Sequence, residues 1–149
     1  MNHQPYEIGR IDISKAGERC KMLLGDLNGD GRLEMLLVQA DGGIDDRYVP
    51  HQVSCLTAYD LDGELLWQVG KPDPDAGGPG SDYPAQIADW DGDGNNEVIC
   101  IMGKQFLILD GKTGDIKSTH SLPGDEAHDC IILANLTGDE QKMDVLLKD

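Results

Sequence analysis

GDLNGDGRLEMLLV, running from Gly25 to Val38, decides how this chain is read, because it returns twice. Its second copy is ADWDGDGNNEVICI from Ala88, and its third is ANLTGDEQKMDVLL from Ala134. The leading polar positions Asp26, Asp89 and Asn135 are separated by 63 and then 46 residues. A repeat of about 40–50 residues is the length of one four-stranded propeller blade. Two insertions, GGIDDRYVPHQ and KPDPDAGGPGSD, account for the longer first spacing.

The sequence between the copies reads as short strands. In the first unit the apolar runs are CKMLLGD, LEMLLVQ, VSCLTAYD and ELLWQVG; in the second they are PAQIAD, NEVICIM, KQFLILD and DIKSTH. Asp62-Gly63 and the run Asp110 to Gly114 (DGKTG) carry the residues of tight hairpin turns. No segment sustains a helical period. Evenly spaced strands with Asp/Gly turns indicate an all-β fold, and the repeat length selects a partial β-propeller of four-stranded antiparallel blades. The predicted organisation of residues 1–149 is an incomplete propeller: a stray strand at 6–14, blades at 20–70 and 84–121, and a half blade at 128–149. Propellers close with about 4–8 blades. The expected partners are therefore missing blades or other copies of the chain, recruited through unpaired strand edges.

Within each copy the acids alternate. Asp26, Asn28 and Asp30 precede Gly31, with Glu34 at the ninth position; Asp89, Asp91 and Asp93 precede Gly94, with Glu97 at the ninth. Calcium takes six to eight oxygen ligands at roughly 2.3–2.6 Å. Alternating acids in a curled loop bring side-chain oxygens inward, and a backbone carbonyl from Arg32 or Asn95 completes the expected set. An EF-hand puts its closing glutamate at the twelfth position between two helices, so that reading fails here. Two calcium sites are expected. The third loop (Asn135, Thr137, Asp139, Asp144) lacks the glycine and brings its acid one residue late, so weak binding or none is expected there.

The loop between two strands resembles the calcium loops of FG-GAP and VCBS repeats, which are structural staples in propellers. The wider pattern of ADWDGDGNNEVI, LTAYDLDGELLWQVG and FLILDGKTGDI is similar to the propeller of the rhamnogalacturonan lyase family. That resemblance implies cleavage of acidic polysaccharide by β-elimination in a complete protein. The alternative is a non-catalytic calcium-stapled module for adhesion or carbohydrate binding.

Both insertions fall at the strand ends opposite the acidic loops, where long loops on a rigid scaffold favour ligand binding. Counting back from the acidic loops aligns Arg19, Asp82 and His128, followed by Cys20, Tyr83 and Asp129. A β-eliminating site must neutralise a carboxylate and abstract a carbon-bound proton. Arg19 or Arg47 suits the first task, and His128, His51 or Tyr83 the second. Trp67 and Trp90 could stack on sugars, although packing is the simpler role for both.

Composition narrows the rest. The net charge of −16, from 28 acidic and 12 basic residues, disfavours nucleic acid and anionic membranes as partners. No apolar run approaches the ~20 residues that span a bilayer. MNHQPYEIGR lacks a basic start and an apolar stretch, so a cytoplasmic protein is expected, with secretion after removal of a leader as the alternative. Cys20, Cys55, Cys100 and Cys130 lie far apart in apolar runs and read as free, buried thiols.

Overall fold

MLLV, CLTAY, VICI and FLIL are apolar without alternation, which suits strands covered on both faces. In the computed structural model, which describes residues 4–40, 52–76, 83–124, 128–138 and 143–148, these runs are the middle strands of two sheets. The first antiparallel sheet has the order β1 (Lys21–Gly25), β2 (Glu34–Ala40), β3 (Val53–Tyr59), β4 (Leu65–Gly70). The second repeats it with β5 (Ala85–Ala88), β6 (Glu97–Met102), β7 (Gln105–Asp110) and β8 (Ile116–Ser121). A third, two-stranded sheet pairs β9 (His128–Ala134) with β10 (Asp144–Lys148). Every strand expected in the repeat units is present.

Central strands are buried and outer ones half exposed. From Leu36 to Val38 and from Val98 to Ile101 exposure does not exceed 3 %. The face shared by the two four-stranded sheets is one apolar cluster that includes Leu36, Leu56, Trp67, Val98, Leu107 and Leu109. Ile99, Ile101, Phe106 and Ile108 form a second cluster with Ile131, joining the second sheet to the third. The first strands are neighbours in turn, β1 beside β5 and β5 beside β9.

YEIGRIDIS, expected as a strand, forms none. The chain there is irregular and then turns through a short 3₁₀ helix at Ser14–Ala16, with the Ser14 N–H donating to Asp12 Oδ1 at 2.9 Å. Tyr6, Ile8 and Ile13 stay exposed, and a few apolar side chains in and just after this segment are covered by a different route. Ile11, Ala16 and Cys20 pack on the face of the first sheet turned away from the second, against Met35, Leu37 and Tyr59. An apolar surface can be covered by side chains without any ladder of backbone bonds, and the local pattern does not distinguish the two outcomes.

All four cysteines are free thiols; Cys55 and Cys100 are buried and Cys20 and Cys130 half-buried. Burial alone pushes the Cys100 thiol up to about 12. Thiolate is the reactive form, so at pH 8 only a fraction of roughly 10⁻⁴ would be reactive. Iodoacetamide at pH 8 should therefore leave Cys100 unmodified in the folded protein and label it promptly in urea, as peptide mass spectrometry would reveal. Among the described residues no helix is long and apolar enough to cross a membrane.

Candidate metal centre

The acidic loops form at identical places in the ladder. β1 and β2 pair Gly25 with Glu34, β5 and β6 pair Ala88 with Glu97, and β9 and β10 pair Ala134 with Asp144. Each closing acid is thus the first residue of a second strand, held directly beside the residue that opens its loop. Although the third loop is one residue longer in sequence, Asp144 still takes the equivalent register.

The first residue of each loop organises the turn. Asp26 Oδ1 accepts from the Gly29 N–H at 2.8 Å and the Asp30 N–H at 3.2 Å, while Oδ2 accepts from Gly31 at 2.8 Å. Asp89 repeats this with Gly92 at 2.8 Å, Asp93 at 3.1 Å and Gly94 at 3.0 Å. Gly31 and Gly94 take φ of +83° and +91°, where a side chain would be strained. In the third loop Asn135 Oδ1 accepts from the Gly138 N–H at 2.7 Å.

Closing acids reach back over the turn. Glu34 Oε2 accepts from the Leu27 N–H at 2.7 Å and Glu97 Oε2 from the Trp90 N–H at 2.8 Å. Asp144 Oδ2 accepts from Leu136 at 2.8 Å and Thr137 at 3.2 Å. Glu34 and Glu97 are 2 % and 1 % exposed. A buried carboxylate is costly unless charge and hydrogen bonds compensate it, so these positions favour a nearby cation.

In the second loop one oxygen each from Asp89, Asp91 and Glu97 lie within 4.8 Å of one another, a group that could hold a metal ion. The corresponding positions of the first loop are Asp26, Asn28 and Glu34, with the Asn28 amide donating to Glu34 Oε1 at 3.2 Å. Asp30 and Asp93 are engaged two residues on: Asp30 Oδ1 accepts from the Arg32 N–H at 2.8 Å and Asp93 Oδ1 from the Asn95 N–H at 2.8 Å. Arg32 also extends a guanidinium to Asp62 at 3.4 Å on an exposed edge.

Lys117 is the residue that reading the sequence missed. Its ammonium lies 2.7 Å from Glu97 Oε1 and 2.8 Å from Asp91 Oδ2. Bonding to Lys117 holds the Asp91 carboxyl below the usual range, and Asp91 and Glu97 together raise Lys117.

Two of the residues considered for proton abstraction and charge neutralisation, Tyr83 and Arg19, have other duties. Tyr83 is 7 % exposed, and its hydroxyl donates to the Arg19 carbonyl at 3.1 Å. The Arg19 guanidinium donates to the Ala76 carbonyl, and Arg19 itself adopts a φ of +59°. The structure therefore brings Arg19 and Tyr83 together, as a brace between the starts of the first two units. His128 opens β9. Arg47, His51, Asp82 and most of the two insertions lie outside the described residues. Trp90 packs at the edge of the second cluster, its ring 6.2 Å from that of Phe106. Trp67 is buried, with its indole N–H donating to the Gly111 carbonyl at 2.8 Å.

No family model matches the chain, and no curated protein matches it. A comparison with solved structures finds similarity to the crystal structure of the V. cholerae biofilm matrix protein Bap1, at 20 % identity and a TM-score of 0.48. That match covers 72 % of this chain and 15 % of the Bap1 chain.

Proposed function

We propose that the chain is a calcium-binding, non-catalytic module built of consecutive propeller-type blades, in which calcium staples the first turn of a blade. The observation that carries this reading is the threefold recurrence of one loop at one register, each with an acid folded back over the second residue of its turn. The donor set is carboxylate and amide oxygen, which suits a hard cation such as calcium better than a soft metal. In the first loop Asp26, Asn28, Asp30 and Glu34 would supply the side chains; in the second, Asp89, Asp91, Asp93 and Glu97. Neighbouring first strands and face-to-face sheets favour arrangement around an axis, as in a propeller.

A lyase acting on acidic polysaccharide is the second reading, resting on the sequence resemblance. Arg19 and Tyr83 count against it, because both are committed to bonds that tie backbone segments together. Calorimetry tests the main proposal: calcium should bind with a measurable heat in the wild type, and Asp26→Ala should remove the first site. A flat titration would refute calcium binding. Incubation with rhamnogalacturonan, followed by the absorbance of unsaturated products, should show no turnover; turnover lost in His128→Ala would establish the lyase instead.

A further inference from the structure

Two loops with the same ligand spacing differ in one residue that comes from elsewhere in the sheet. β7 and β8 pair Ile108 with Ser118 and then Leu109 with Ile116, which leaves Lys117 as the extra residue of a bulge. β3 and β4 carry the same irregularity: Ala58 pairs with Trp67 and Tyr59 with Leu65, leaving Leu66. Lys117 and Leu66 therefore occupy equivalent positions. A bulge redirects the extra side chain out of the normal alternation. In the second sheet this sends an ammonium into the loop, onto the carboxylates of Asp91 and Glu97. In the first sheet the equivalent side chain is aliphatic and half exposed.

Asp91 and Glu97 are two of the three acids that converge in the second loop. A divalent ion that takes their oxygens must displace the ammonium. The lysine is tethered, so it competes at a high effective concentration. Its side chain is one-third exposed, so it can swing into solvent when a metal arrives.

We propose that Lys117 is a built-in counter-cation that competes with metal for Asp91 and Glu97, so that the first loop binds calcium more tightly than the second. This rests on the calcium reading of the loops. It makes the lysine the determinant of a graded response: the first loop fills at low calcium and the second only at higher calcium. It also gives the buried Glu97 a counter-charge, with the turn formed, in metal-free protein.

The test follows the Gly31 and Gly94 amides by two-dimensional NMR while the full chain is titrated with calcium. In the wild type the Gly94 midpoint should lie at least about tenfold above that of Gly31. Lys117→Met should lower the Gly94 midpoint about tenfold or more and leave Gly31 unchanged, and Leu66→Lys should raise the Gly31 midpoint. In chelator, Lys117→Met should melt below the wild type, because Glu97 loses its counter-charge, and added calcium should restore it. Calcium binding with an unchanged Gly94 midpoint in Lys117→Met would overturn the inference alone. No response of either amide in either protein would overturn the calcium reading and the inference with it.

Discussion

Calcium at 100 times the dissociation constant of the first loop is expected to stabilise the chain by about 2.7 kcal/mol, because ligand held only by the folded state adds RT ln(1 + [L]/Kd). For a domain of this size that corresponds to a rise in melting temperature of roughly 5–10 °C. Asp26→Ala should abolish the rise attributable to the first loop. It should also lower the melting temperature in chelator, since Asp26 accepts from three backbone N–H groups whether or not a metal is present. Glu34→Gln separates the two effects: a near-isosteric amide can keep a carbonyl on the Leu27 N–H while surrendering the negative charge. Its metal-free melting temperature should stay close to the wild type while its calcium-dependent gain is lost. Scanning calorimetry with and without calcium reads both quantities. A calcium-dependent gain that survives both substitutions would remove the first loop from the account.

Trp67→Ala should be among the most damaging single changes, costing about 3–5 kcal/mol as expected for truncating a buried aromatic. Trp67 lies in the cluster shared by the two four-stranded sheets, and its indole N–H bonds the Gly111 carbonyl of the second unit at 2.8 Å. Gly114 packs so closely beneath it that a Cβ there would stand 2.8 Å from the ring. A second bond runs the other way, from the Asn96 amide to the Asp26 carbonyl at 2.8 Å. Trp67→Phe keeps most of the area and removes the donor, so its cost should fall to about 1–3 kcal/mol, the penalty for an unsatisfied buried carbonyl. Urea unfolding measures both. If Trp67→Ala left stability within about 0.5 kcal/mol of the wild type, the level of an ordinary surface change, the indole would be free to serve as a sugar platform, and its packing role would be wrong.

The strands and acidic loops were legible because they are written locally. An apolar run of four to seven residues between Asp/Gly turns is a property of adjacent residues, and so is the alternation from Asp26 to Asp30 or from Asp89 to Asp93. The third loop was legible only in part: its substitutions and late acid were visible, but its retention of the same register and back-bonded acid was not. Pairing decides that, because the register of β10 on β9 is set by the strands themselves and not by the number of residues between them.

What the sequence by itself determined is the all-β class, the positions of the repeat strands and the acids of the loops. The tertiary structure decided three things that depend on partners remote in the chain. Ile11, Ala16 and Cys20 cover a sheet face from a segment that forms no strand, since side chains can pack there without a ladder. Arg19 and Tyr83 spend their polar groups on backbone carbonyls, which follows from how the first two units abut. Lys117 reaches Asp91 and Glu97 because of a one-residue shift between β7 and β8. With a side-chain period of two, one extra residue reverses the face on which every following side chain stands. A lysine in the run DIKSTH reads as a solvated edge residue, and only the register of the folded sheet turns it into the cation of the second loop.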